Sequence, residues 1–256
     1  MKKLSDYVWE GKPLPLKGIT DMHAHMGPLN MFYIPANDIH SMVKQMDSIG
    51  VERIVCSHHA VLSAEAVFGN NEVLKAMKEF PGRILGYVYP YPVNDKLGID
   101  EVKRCIEAGM VGIKLHYYNR IPYTSEKYEK ILRYADDNKL PVLLHTFGDI
   151  DKMESIFKDY KNIKFILGHS GAENPEMYVK YALKYKNLYL DPTNSTSKFG
   201  IIEYFVKNVG ADRIVFGSDI PFLSQTHQIG RIIFADISEE DKKKILCDNP
   251  KKILGK

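Results

Sequence analysis

Cysteine is scarce in this chain: positions 56, 105 and 247 hold the only three among 256 residues. Three thiols so far apart, an odd number, argue against a disulfide framework and fit a reducing compartment, and no Cys-x-x-Cys pair or Cys/His knuckle offers a closed structural zinc site. No run of about 18 apolar residues occurs, so no membrane-spanning helix is expected. The opening stretch MKKLSDYVWEGKPLPLKG has two early lysines but not the apolar core of a signal peptide. A dominant charge is missing too: 35 Lys+Arg face 32 Asp+Glu, a net +3 too mild to imply nucleic acid. The clusters Lys242-Lys-Lys244 and Lys251-Lys252 read as solvated helix faces. The expectation is a cytoplasmic protein that meets a small molecule, not nucleic acid or membrane.

Hydrophobic residues make up 45% and charged residues 26%, which sets aside disordered and fibrous classes. Short apolar, β-rich segments recur: Gly18–His25, Arg53–His58, Arg83–Tyr89, Val111–His116, Pro141–His145, Lys164–His169, Asn187–Asp191 and Arg213–Asp219. They lie roughly 22 to 33 residues apart, the room that a strand, a loop and a crossover helix need. Helical periodicity fills the gaps at Ala36–Ile49, Ala64–Phe80, Asp100–Ala108, Ser125–Asn138, Ile150–Asp159, Pro175–Tyr185 and Gly200–Val209, with a last segment at Glu239–Leu246 ending near Asn249-Pro250. Nearly continuous apolar runs such as Pro141-Val-Leu-Leu144 suit parallel strands covered on both faces. Eight such units without a composition break predict an α/β fold: a distorted (β/α)8 TIM barrel with an extra C-terminal helix, one domain over 1–256, with 1–17 as an N-terminal arm. An open doubly wound sheet stays as the alternative, because periodicity does not reveal closure.

Polar residues stand at the C-terminal ends of these segments: His23 and His25, His58, Lys114 and His116, His145, His169, Asp191, and Asp219. In a barrel those ends form the mouth where active sites sit. His23 and His25, two apart on a strand, share a face. Alone they fit a metal-binding pair or a polar edge without chemistry. Six of the nine histidines at strand ends make a metal site the better reading. Imidazole and carboxylate donors without thiolate suit zinc, manganese or iron, and three or four of them leave a position for water. Zinc can lower the pKa of bound water to about 7. Loops after the strands add Met26, Phe32, Tyr89, Tyr91, Tyr117, Tyr118, Arg120 and Phe147. Tyr89, Tyr117 and Arg120 are the substrate-binding candidates, Arg120 because its guanidinium fork could clamp a carboxylate, although a surface arginine explains it as well.

Thr20-Asp-Met-His-Ala-His25, Gly112-Ile-Lys-Leu-His116, Val142-Leu-Leu-His145, Leu167-Gly-His169 and Phe216-Gly-Ser-Asp219-Ile-Pro221, in that order, resemble the amidohydrolase superfamily. The nearest branch is amidohydrolase 2, which includes hydrolases and the aminocarboxymuconate-semialdehyde decarboxylase group. The closing Asp248-Asn-Pro-Lys-Lys-Ile-Leu254 is similar to that family's terminal segment. The resemblance implies that His23, His25, His145 and Asp219 bind one divalent metal, most simply zinc, with manganese or iron as alternatives. It implies that Asp219 also takes a proton from metal-bound water, and that His169 polarises the scissile group or steadies its developing charge. Lys114 is ambiguous: in binuclear relatives a strand-four lysine is carbamylated and bridges two metals, whereas a lysine paired with a barrel carboxylate is the plain alternative. His116 is a further candidate for a metal or pocket role.

The first functional expectation is hydrolysis of a C–O or C–N bond in a lactone, amide or ester. The alternative is nonoxidative decarboxylation of a small carboxylic acid at the same seat. The compact length favours hydrolysis, since decarboxylases of this branch carry larger inserted loops. A catalytically inactive metal-binding barrel comes third, because the Asp219 and His169 positions are both kept. Self-association through outer helices is compatible with this fold type.

Overall fold

The computed structural model describes residues 2–195 and 198–255. Seven parallel strands follow one another in a single curled sheet: β1 (Thr20–Met26), β2 (Arg53–His58), β3 (Ile84–Val88), β4 (Gly112–Leu115), β5 (Pro141–His145), β6 (Lys164–Gly168) and β7 (Leu188–Leu190). Each strand pairs with the next. Helices cross over between them, as parallel pairing requires. The helix Ile39–Ile49 shows how local chemistry sets such a unit. Asp38 caps its first turn by accepting from Ser41 N–H, Met42 and Met46 face the core, and Gly50 ends it at φ 84°.

The eighth segment differs from expectation. Residues 213–219 form no regular strand, yet they run between the two edges of the sheet. Val215 N–H donates to the Leu190 carbonyl of β7, while Met22 and His25 of β1 donate to the Phe216 and Ile220 carbonyls at 2.8 and 2.6 Å and Asp219 N–H donates to the His23 carbonyl at 2.7 Å. Ile214 and Ile220 make isolated bridges to Leu190 and Ala24. The chain thus has the TIM-barrel type of architecture, closed by an irregular seam instead of an eighth ladder. Side chains of the polar site replace the missing ladder bonds. Asp21 of β1 accepts from the backbone N–H of Ser218 at 3.0 Å, from the Ser218 hydroxyl, and from Gln225 Nε2 at 2.8 Å.

A bulge in β1 lies between Asp21 and Ala24, opposite β2. The extra residue lets Met22 join Val55, Leu85, Tyr87, Leu143 and Ile166 in the apolar plug of the barrel, while His23 and His25 still face inward above it. Val215 and Tyr189 complete that plug, and Ile253 closes it from the C-terminal helix.

Other departures are local. The arm at 1–17 contains a helix, Leu4–Trp9, held by Leu4 N–H on Glu239 and by Trp9 against Phe234. A helix at Gln225–Ile233 follows the seam, capped by Ser224. The last helical stretch does not stop near Asn249-Pro250. It runs from Glu239–Lys243 through a π-turn, Lys244–Asp248, into Asn249–Leu254. A π-turn loosens the regular ladder, and here the Ile245 carbonyl accepts from Phe216 N–H of the seam. All three cysteines are free and buried, and among the described residues no helix is long and apolar enough to cross a membrane.

Candidate metal centre

His23 is fully buried behind the mouth of the barrel. Its Nδ1 lies 2.7 Å from Asp191 Oδ2, so an N–H there donates to a carboxylate and Nε2 keeps its lone pair toward the site. Asp191 is in turn fixed by the Thr193 N–H at 3.1 Å and the Thr193 hydroxyl. Burial pushes the Asp191 carboxyl up to about 7, despite those bonds, and pushes the His23 imidazole well below its ordinary range. No larger residue fits at Gly217, where a Cβ would stand 2.6 Å from Asp191 Oδ1 and 2.7 Å from His23 Cβ.

His25, two residues on, has Ser57 Oγ 3.0 Å from Nδ1 and Asp219 Oδ1 3.1 Å from Nε2. Burial lowers His25 to about 4. Burial alone would raise Asp219, but its hydrogen bond with His25 and the surrounding His25, His169 and Lys114 hold it down at about 2. Asp219 has φ 59° and His169 φ 62°, left-handed backbone that costs a non-glycine residue about 1–3 kcal/mol and clusters at functional sites. At His169 the reason is visible. Ile166 points into the barrel and Gly168 shares that face, so plain alternation would send His169 outward, and the positive φ turns it back.

Hydrogen-bond partners assign the remaining imidazole protons. His169 Nδ1 is 3.0 Å from the Thr193 carbonyl, which only accepts, so His169 carries its proton there. Its Nε2, 3.1 Å from His145 Nδ1, then accepts from His145, which leaves the lone pair of His145 on Nε2. His116 packs against His145 at 3.9 Å between ring centroids and accepts from Tyr118 N–H at Nδ1. Lys114 lies under this group, fully buried and lowered by burial to about 8, with Nζ 3.0 Å from His23 Nε2.

The donor set can be tested against a metal. Four-coordinate ions with bonds near 2.1 Å need donors about 3.4 Å apart. His23 Nε2 and His25 Nε2 lie 3.6 and 3.1 Å from Asp219 Oδ1, and one donor atom from each of the three lies within 4.8 Å of the others. Neutral imidazoles and an ionised carboxylate, with Asp191 orienting His23 from behind, are the chemistry such a site requires. The set fits a divalent ion. Lys114 competes for the His23 lone pair and would have to move aside for it. Among the described residues His145 is not part of this three-donor group, although its Nε2 lone pair keeps it eligible as a fourth.

A cavity of about 370 Å³ opens above the seat. His25, His116, His145, His169, Asp219 and Tyr117 all line it. Two substrate-binding candidates do not reach it. Tyr89 is buried, its hydroxyl donating to the His116 carbonyl, so it supports the wall from behind. Arg120 is exposed and lines a neighbouring recess of about 250 Å³ with Asp149 and Lys152, beyond Tyr117. The sequence reading missed Asp21, Ser57 and Thr193. Asp21 falls in the apparent period-two row of His23 and His25, but the bulge after it breaks that row and its carboxylate goes to Ser218 and Gln225 instead.

The amidohydrolase family profile matches residues 20–256, nearly the whole barrel and all of the donor set. The chain belongs to this family. A gamma-resorcylate decarboxylase from Polaromonas sp. is 24% identical to this chain over 283 aligned positions, covering 83% of this chain and 86% of the relative. A crystal structure of a dihydroxybenzoic acid decarboxylase from Polaromonas sp., with manganese and the inhibitor 2-nitroresorcinol bound, superposes with a TM-score of 0.77 at 18% identity, covering 94% of this chain and 97% of that one. A 2-pyrone-4,6-dicarboxylic acid hydrolase from Pseudomonas putida superposes with a TM-score of 0.74 at 18% identity, covering 93% and 97%. Proteins named as decarboxylases and as hydrolases thus both stand among those this chain resembles.

Proposed function

We propose that the protein catalyses the nonoxidative decarboxylation of a small, planar aromatic carboxylic acid, with a divalent metal held by His23, His25 and Asp219 and with His145 as fourth ligand. The composition of the cavity wall carries this reading. Leu29, Met31, Tyr117, Phe147, Phe222 and Leu223 offer flat apolar faces, and none of the described lining residues is a lysine or arginine. A substrate carboxylate entering here finds its one cationic partner at the metal seat. That places the carboxyl group over the seat and the ring against the apolar wall. This reverses the order set by chain length: the 283 aligned positions exceed the 83% of this chain that they cover, so the relative named as a decarboxylase does carry insertions, and the composition of the cavity wall is weighed above that difference.

When bound, the metal supplies positive charge that fixes the carboxylate and polarises it. The chain's own groups do the rest. As the C–C bond breaks and carbon dioxide leaves, the ring carbon must gain a proton that comes from water, and Asp219, ionised at rest, is the one carboxyl among the described lining residues placed to take up that proton and pass it to the ring. His169, braced by Thr193 and His145, keeps the imidazole wall rigid. The apolar wall excludes water and strengthens each charge interaction at the seat.

Hydrolysis is the second reading, favoured by one observation: Asp219 sits beside the donor nitrogens, where a base for an activated water belongs. The two separate in one assay. Protein loaded with manganese or zinc is incubated with 2,6-dihydroxybenzoate and 2-hydroxybenzoate, with carbon dioxide as readout, and with a panel of lactones, esters and anilides, with acid release as readout. Carbon dioxide matching the acid consumed is the expected result. Acid release without carbon dioxide would return the protein to the hydrolases, and neither product would remove the enzyme reading.

A further inference from the structure

His59 belongs to no metal-donor group among the described residues, yet it stands against the seat. It opens the short 3-10 turn His59–Ser63 after β2, is buried, and stacks on the His25 ring at 5.0 Å between centroids and 21° between planes. The loop after β1 holds it: Nδ1 lies 2.8 Å from the Gly27 carbonyl oxygen. That oxygen can only accept, so the ring's proton is on Nδ1 and Nε2 keeps a lone pair. Gly27 itself has φ 80° and leaves no room for a side chain, since a Cβ there would meet His58 Nε2 at 2.0 Å. The carbonyl that sets the His59 tautomer is therefore held by backbone that only glycine allows.

His59 and His116 both line the cavity with opposite polarity. His116 accepts at Nδ1 from Tyr118 N–H, so its Nε2 carries the proton and donates. His59 offers an acceptor on a ring whose centroid lies 5.0 Å from that of His25. We propose that His59 is a specificity-determining residue, accepting a hydrogen bond from a hydroxyl on the aromatic ring of the substrate. This rests on the decarboxylase reading above and adds to it a reason why a bare aromatic acid is a poorer fit than a hydroxylated one. A substrate without the donor covers the His59 lone pair at the cavity wall and leaves it unmet, the situation in which sites built around hydrogen bonds discriminate most strongly.

The test reads binding on metal-loaded protein by calorimetry, with benzoate, 2-hydroxybenzoate and 3-hydroxybenzoate as probes. The wild-type chain should bind one of the hydroxy acids about tenfold more tightly than benzoate, the size of one good hydrogen bond. His59→Phe, which keeps the flat ring and removes the acceptor, should bring that ratio near one. His59→Gln, which restores an acceptor oxygen, should recover part of it. Metal content and far-UV circular dichroism are read on both variants, and should His59→Phe not fold, the ratio in His59→Gln against Gly27→Ala, which displaces the carbonyl, decides. A wild-type chain that binds the three acids alike, or a His59→Phe chain that keeps its preference, overturns the role of His59 while carbon dioxide release still upholds the reaction. Absence of both binding and carbon dioxide release overturns the two together.

Discussion

The residues that decide this site are set by their neighbours more than by their own identity. His23 presents Nε2 because Asp191 takes Nδ1. Asp191→Asn is therefore expected to weaken metal binding about 10–100-fold, the usual effect of losing the partner behind a ligating histidine, as measured by competition with a chromogenic chelator at pH 7. His25→Ala and Asp219→Ala, which remove donors outright, should leave the purified chain with almost no metal by elemental analysis. If either variant keeps about one equivalent, the three-donor seat is wrong. Gly217→Ala acts by volume instead: its Cβ would press on Asp191 and His23, and a loss of about 1–3 kcal/mol in denaturant melts, typical of overpacking, is expected. At this scale the sequence told a partial story. The parity of His23 and His25 was readable, but His169 faces inward only through its left-handed backbone, which no side-chain pattern announces. Thr193 and Ser57 are ordinary hydroxyl residues whose tasks emerge only when distant strands meet.

Elements matched expectation where packing on both faces left little choice. β2 and β5 coincide with the apolar runs Arg53–His58 and Pro141–His145. Helices with a strong apolar stripe and a clear cap, such as Ile39–Ile49 with Asp38 and Gly50, differ by a few residues at most. The segment at 213–219 misled because its apolar run reads as a strand, whereas its partners are side chains and scattered carbonyls. The helix Gln225–Ile233 escaped because Gln225-Thr-His-Gln228 opens it without an apolar stripe. The closing helix holds a test of how the seam is positioned. Asn249 is buried, and its Nδ2 donates to the carbonyls of Ala211 and Ile214, both at 2.7 Å. Asn249→Ala leaves two buried acceptors unmet and should lower stability by about 2–4 kcal/mol in a urea melt. A change within about 0.5 kcal/mol, the range of neutral surface substitutions, would show that the seam holds itself.

For the molecule as a whole, the crowd of imidazoles sets the response to acid. His23, His25, His58, His59, His116, His145 and His169 all lie below the ordinary histidine range, with burial as the leading cause. A lowered folded-state value means that the unfolded chain takes up protons first as pH falls below about 6.5. The stability these groups contribute is complete above that pH and is lost on acidification toward about 4, where His25 and His58 titrate in the fold. Chelator-treated protein should thus melt at progressively lower temperature between pH 7 and pH 5. Asp21 and Asp191, both raised by burial to about 7, work the other way over this range, so a melting temperature flat across it would mean that the imidazoles do not outweigh these two carboxyls. Metal at about 100 times its dissociation constant should add about 2.7 kcal/mol at pH 7 and raise the midpoint by several degrees.

The irregular seam gives that last effect a mechanical sense. Asp21 and Ser218 meet across 197 residues of chain, and the donors His25 and Asp219 stand just above them. An ion gripped there would act as a buckle between the two ends of the strap, fastening the first strand to the last segment where the ladder of backbone bonds gives out. Hydrogen exchange should register it first in the amides of Met22, His25 and Asp219, slowing there on metal addition well before the rest of the sheet responds.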